Sequence, residues 1–137
     1  MRYVLDSNIV SALMRGDPGV IEQLSQLRRD EVLLPQAVLS EIRYGLERLP
    51  RSKRRLGLER EFERIAMTLP RSSWTDEVSD RFGALKARLD SKGTALEDFD
   101  LAIAAHALAE NAVLVTANTR HFDRVPGLEL RNWLESH

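Results

Sequence analysis

The stretch Glu97-Asp98-Phe99-Asp100-Leu101-Ala102-Ile103-Ala104-Ala105-His106-Ala107-Leu108-Ala109-Glu110, followed by Asn111-Ala112-Val113-Leu114-Val115-Thr116, decides the fold of this chain. From Leu101 to Ala109 it is apolar on nearly every face, whereas a surface helix is apolar along one stripe. It therefore predicts a central helix, packed on a sheet or between layers. Ala112 to Thr116 reads as a fully buried strand. Before this pair, Thr75 caps a helix in which Val78, Phe82, Leu85 and Leu89 follow an i, i+4, i+7, i+11 pattern, and Lys92-Gly93 stops it. Arg51 to Met67 is charge-dense, with one narrow apolar stripe of Leu58, Phe62 and Ile65. That spacing predicts a helix exposed around most of its circumference.

Further toward the N-terminus, Gln36 to about Leu49 has helical periodicity and ends at Pro50. Glu31 to Leu34 reads as a short strand closed by Pro35. Gly16-Asp17-Pro18 separates two helices, with Asp17 as cap and Pro18 in the first helical position. The second of these buries Val20, Ile21, Leu24 and Leu27; the first turns Ile9, Val10 and Leu13 inward. Arg2 to Leu5 reads as a first strand and Leu128 to Leu130 as a last one. Strands separated by helices predict an α/β fold with a central parallel sheet flanked by helices on both faces, because parallel neighbours need crossovers. In such sheets the crevice lies beyond the carboxyl ends of the strands, here at Asp6 and at Thr116 to Thr119.

Composition narrows the chemistry. The 137 residues fit one domain, 1–137, and the 20 basic against 21 acidic side chains give a net charge of −1. That balance excludes an overall cationic field, so any nucleic-acid surface is local. With no cysteine, disulfides, thiolate zinc sites and cysteine nucleophiles are excluded. The apolar runs are too short for a membrane span, which leads us to expect a soluble, cytoplasmic protein without membrane association.

The acids have alternative readings. Asp6, after a strand and before a helix, suits a helix cap worth about 1 kcal/mol as well as a functional site. Glu41 lies away from the polar face formed by Gln36, Ser40, Arg43 and Glu47, so it either enters a buried salt bridge or binds a cation. Asp98 and Asp100 both open the apolar helix, where the dipole favours acids. Periodicity does not rank them, although Asp98 is the better cap by position. Three carboxylates brought together repel by about 4 kcal/mol per pair at 4 Å and an effective dielectric of 20, a penalty that a divalent cation removes. Oxygen-rich sites without Cys favour Mg²⁺ or Mn²⁺ over Zn²⁺. His106 falls on the far side of the helix from Asp100 and reads as a packing residue, and His121 reads as part of a surface turn.

Four segments taken together carry a resemblance: Leu5-Asp6-Ser7-Asn8, Ser40-Glu41-Ile42-Arg43-Tyr44-Gly45, Phe99-Asp100-Leu101-Ala102-Ile103-Ala104-Ala105-His106-Ala107 and Val115-Thr116-Ala117-Asn118-Thr119-Arg120-His121-Phe122. In this order, with Val125-Pro126-Gly127-Leu128 and Trp133 beyond them, they resemble PIN-domain ribonuclease toxins of the VapC type. The resemblance implies a compact α/β domain and metal-dependent endoribonucleolytic cleavage leaving a 3′-hydroxyl and a 5′-phosphate. It places the family's acids on Asp6, Glu41 and Asp100, holding Mg²⁺ or Mn²⁺ directly or through water. Asn118 stands where a fourth acid is common, and Ser7 where a threonine is usual. Asn118, Ser7 and Asp98 are therefore supporting residues. The resemblance further implies a VapB-type antitoxin, a homodimer, a hetero-oligomer with the antitoxin, and a structured RNA such as tRNA as substrate.

Residues 43 to 64 hold eight basic side chains against four acids. Arg43, Arg48, Lys53, Arg54 and Arg55 are candidate RNA contacts, since arginine pairs phosphates and stacks on bases. The alternative is a solvated helix laced with Glu/Arg pairs. Leu58, Phe62 and Ile65 are either a partner-binding stripe or part of the core. A haloacid-dehalogenase-like phosphatase needs a second Asp where Asn8 stands. A receiver domain needs a late lysine, and none follows Lys92. The remaining rival is a catalytically weak PIN protein acting mainly within a DNA-binding toxin–antitoxin complex.

Overall fold

The computed structural model describes residues 1–134. Five strands, β1 (Tyr3–Leu5), β2 (Val32–Pro35), β3 (Arg71–Ser72), β4 (Val113–Val115) and β5 (Leu130–Arg131), form one sheet in the order β3-β2-β1-β4-β5. Every neighbouring pair is parallel, with Tyr3 opposite both Val32 and Val113. The crossovers carry α1 (Ser7–Met14), α2 (Pro18–Ser25), α3 (Gln36–Arg48), α4 (Lys53–Thr68), α5 (Asp76–Ser91), α6 (Asp98–Ala109) and α7 (Thr119–Phe122). This is the parallel α/β architecture that the alternation predicts. Strand order runs outward in one direction through β2 and β3 and in the other through β4 and β5. The switch point therefore lies between β1 and β4, where ligand crevices form in sheets of this kind.

The core sits where the opening stretch places it. Val4, Leu5, Leu34, Leu114 and Val115 are fully buried in the sheet, and Leu101, Ile103, Ala104, Ala105 and Ala107 of α6 are fully buried with them. Asp17 caps α2 through Val20 N at 3.1 Å with Pro18 opening the helix, and Thr75 caps α5 through Val78 N. Phe62 and Ile65 are buried in the core and Leu58 packs against it, so that stripe is spent internally.

Local differences have local causes. Only Val20 of the α2 stripe is fully buried, whereas Ile21 is 45% exposed because the helix rests on the core along a narrower edge than four residues need. Arg29–Glu31 is a 3-10 turn fastened by Glu31 accepting from Arg28 N, so β2 starts at Val32. The last strand lies later than expected, at Leu130–Arg131. Neither β3 nor α7 is expected from the sequence, since two and four residues are too few to establish a period.

Candidate active site

Asp6 follows β1 directly and is the N-cap of α1, so the cap reading and the site reading describe one residue. Its Oδ1 accepts from Ser7 N at 2.8 Å, and its Oδ2 accepts from Asn8 Nδ2 at 3.1 Å and from Thr116 Oγ1 at 2.7 Å. Asn8 Oδ1 in turn accepts from Ala117 N, and Thr116 Oγ1 accepts from Asn118 N. These bonds tie the end of β1 to the end of β4 across the switch point and fix the carboxylate in one orientation. The sequence reading places Thr116 at the crevice but gives neither Thr116 nor Asn8 this bracing role. Thr116, fully buried at the end of an apolar strand, is the signal that was available.

Glu41 projects from the middle of α3, and its Oε1 accepts from Ser7 Oγ at 3.0 Å. No ion pair reaches Glu41 or Asp6 among the described residues, so the buried salt bridge is not what holds Glu41 in place. Burial raises the Asp6 carboxyl above its ordinary value, and the charge of Asp100 raises it further against the lowering hydrogen bonds. Burial likewise raises Glu41, with added repulsion from Asp6, Asp100 and Glu97. Ser7 links Asp6 and Glu41 directly, donating its N–H to the first and its hydroxyl to the second.

Asp100 sits in the first turn of α6, and its Oδ2 lies 3.0 Å from His121 Nε2 on α7. This corrects the surface-turn reading of His121. The helix that carries it was too short to see in the sequence, and a histidine 21 positions away gives no periodic sign of contact. Asp98 corrects differently. Glu97 occupies the N-cap position, so Asp98 is the first helical residue, and its Oδ1 accepts from Lys86 Nζ at 2.9 Å instead of capping the helix. This pair ties the start of α6 to α5. Asn118, at the N-cap of α7, is exposed and makes no side-chain cap bond. His106 is buried against Ser72, as a packing residue should be.

The donor set fits a hard divalent cation. Asp6, Glu41 and Asp100 offer carboxylate oxygens, and among the described residues no basic side chain pairs with Asp6 or Glu41. Among the described residues no group of three or more His, Asp or Glu side chains stands in position to cage an ion unaided. Mg²⁺ commonly retains several waters and takes only one or two carboxylates, so this spread suits an ion held partly through water.

From Glu41 a groove of about 450 Å³ runs between α1, α3 and α4, past Ser11, Met14, Ile42, Leu46 and Leu58, with Arg15, Tyr44 and Arg54 also lining it. The basic segment divides around it. Arg43 Nη1 lies 3.4 Å from Glu59 Oε2 and its guanidinium covers the Phe62 ring. Arg55 pairs with Glu47 and Glu59 and donates to Leu49 O. These two candidates are internal braces of the α3–α4 seam. Arg48 lies over Tyr44, and Lys53 and Arg54 are exposed at the start of α4.

Comparisons with known proteins extend this geometry. The family model described as "PIN domain" matches residues 3–128. Ribonuclease VapC2 of Rickettsia felis is 33% identical over 97% of this chain and 98% of its own length. The tRNA(fMet)-specific endonuclease VapC of Shigella flexneri is 26% identical over 97% and 98%. Among solved structures, VapBC2 from Rickettsia felis bound to a DNA fragment from the promoter superposes with a TM-score of 0.85 at 31% identity, covering 97% of this chain and 99% of that one.

Proposed function

The chain belongs to the PIN domain family, and on that premise we propose that it is a metal-dependent endoribonuclease, the toxin of a type II toxin–antitoxin module. It hydrolyses phosphodiester bonds of a structured RNA such as tRNA. The observation that carries this reading is the pairing of Asp6 and Glu41 through Ser7 at the switch point of a parallel sheet, with Asp100 opening α6 and no ion pair to Asp6 or Glu41 among the described residues. The names of the relatives from Rickettsia felis and Shigella flexneri support the ribonuclease class.

Asp6, Glu41 and Asp100 hold Mg²⁺ or Mn²⁺, directly or through water. Such an ion supplies Lewis acidity toward a phosphoryl oxygen and lowers the pKa of bound water. The chain's own residues prepare the site. Thr116, Asn8 and Ser7 N orient Asp6 before substrate arrives, so little ordering remains at the moment of binding. The Ser7 hydroxyl donates its hydrogen to Glu41 and holds that carboxylate beside Asp6. His121 holds one oxygen of Asp100, leaving the other for the ion. Asn118 adds a neutral donor and acceptor at the rim.

The structural likeness to a VapBC complex supports a VapB-type antitoxin as partner and so a hetero-oligomer, and a homodimer of the chain is part of the same proposal. No helix among the described residues is long and apolar enough to cross a membrane. The test is incubation of purified, partner-free protein with total cellular RNA in Mg²⁺ or Mn²⁺ and in EDTA, beside Asp6→Asn and Asp100→Asn. Discrete fragments only in the metal lanes of the wild type are expected, with each variant slower by about 100-fold or more. An intact RNA pool with folded, metal-loaded protein overturns the reading in favour of a weakly catalytic member acting within a DNA-binding complex.

A further inference from the structure

We propose that the groove between α1, α3 and α4 is a nucleotide subsite, taking one unstacked base of the RNA beside the scissile phosphate. This rests on the ribonuclease reading. The groove is continuous with the acidic site, since Ser7, Asn8 and Glu41 line its inner end. A polymer cut at those acids must leave the site along the surface, and this groove opens directly from it. Its volume of about 450 Å³ lies in the range of small-molecule pockets. Its wall suits a base: Met14, Ile42 and Leu46 are apolar, and Tyr44 is 65% exposed at the rim, with Arg48 over one face of its ring.

Charge separates this occupant from an apolar peptide. Arg43 and Arg55, in the α3–α4 seam, are neutralised by Glu47 and Glu59. Arg15 and Arg54, which line the groove, make no ion pair among the described residues. Two unneutralised guanidinium groups thus stand on the groove itself, where a polyanion leaving the acids would pass. Gly45 keeps the path open. It lies inside α3, where glycine is a poorer helix former than alanine, its φ is not left-handed, and a Cβ there would meet nothing within 4 Å. Backbone geometry gives no reason for it, and its position on the groove leaves room for a planar ring.

The test compares Gly45→Phe, which fills the groove, with Arg54→Gln and with Gly83→Phe, the same enlargement on α5 outside the groove, where a Cβ also meets nothing within 4 Å. Far-ultraviolet circular dichroism establishes that each variant is folded. Cleavage kinetics and end-mapping are run on a total RNA pool. Binding of a single-stranded oligonucleotide carrying 2-aminopurine is measured in EDTA, where cutting is suppressed. Gly45→Phe is expected to raise KM and the oligonucleotide Kd by about tenfold or more, and to alter which nucleotides flank the cuts. Arg54→Gln is expected to flatten the dependence of log Kd on log salt by about 0.7, one phosphate contact on a single strand. Gly83→Phe leaves both constants unchanged.

Unaltered KM, Kd and cut sites in folded Gly45→Phe, together with an unaltered salt slope in Arg54→Gln, overturn the proposal while the ribonuclease reading stands. Wild-type protein that binds the oligonucleotide through the groove yet cuts no RNA sinks the ribonuclease reading and leaves the subsite. Gly45→Phe that cuts normally but escapes inhibition by the antitoxin assigns the groove to the protein partner, and overturns the proposal as well.

Discussion

Asp6 accepts three hydrogen bonds yet has no ion-pair partner among the described residues, and this combination sets what its replacement does. Its folded-state pKa is raised, chiefly by burial, so the native state binds protons more tightly than the unfolded chain. Its contribution to stability therefore falls as pH rises through the window above 3.8. Asp6→Asn removes the desolvated charge and loses part of the hydrogen bonding. Without metal it should unfold within about 1 kcal/mol of wild type in a urea titration at neutral pH, and on the proposed metal reading Mg²⁺ should raise the melting temperature of the wild type but not of the variant. His121→Ala should weaken Mn²⁺ binding by about tenfold to 100-fold in calorimetry, and His121→Gln by less, because the amide can still donate to Asp100. Asp6 and Glu41 stand out in the sequence as acids at a strand end and off the polar face of a helix, whereas only the family resemblance separates Asp100 from Asp98. His121 does not stand out, since only the turn of α7 brings it to Asp100.

At the scale of elements, α3 and α4 are clamped by a charged seam in which Arg55 is the centre. Its side chain is only 16% exposed, pairs with Glu47 and Glu59, and donates to Leu49 O, the C-cap carbonyl of α3. Arg55→Ala should lower unfolding free energy by about 1–2 kcal/mol, from lost packing as much as lost charge, whereas exposed Arg54→Ala should change it by less than about 0.5. At the end of α5, Gly93 has φ +68°, and Gly93→Ala should lower stability by about 1 kcal/mol in the same titration. The helices and their caps were readable because capping chemistry and a 3.6-residue period act within a few positions. The seam was foreseen only as one of two alternatives, because which arginines find Glu59 depends on how two helices cross. Strand β3 was invisible for a related reason: its pairing with Leu34 and Pro35 is made by the sheet rather than by its own two residues.

Across the whole molecule, a second polar network lies in the interior. Ser72 Oγ is 2.7 Å from His106 Nδ1 and donates to Glu110 Oε2 at 2.8 Å, and Trp74 meets the imidazole edge-on. Since the only hydroxyl hydrogen goes to Glu110, Nδ1 carries the ring hydrogen. Burial lowers the His106 pKa below 6.5 against the raising charge of Glu110, so the unfolded chain binds the proton first. His106 thus contributes stability that is complete above pH 6.5 and is lost as pH falls toward its folded-state value. In His106→Asn the slope of unfolding free energy against pH in that window should be shallower, as urea titrations at several pH values will show. The sheet that this network borders ends on both sides in a strand of two residues, β3 and β5. So short an edge gives another chain almost no row of free N–H and C=O groups to copy, which closes off growth of the sheet from molecule to molecule. Association is left to the helices, whose faces recognise side chains rather than backbone, and a protein built this way can accumulate without its partner and still resist fibrous self-assembly.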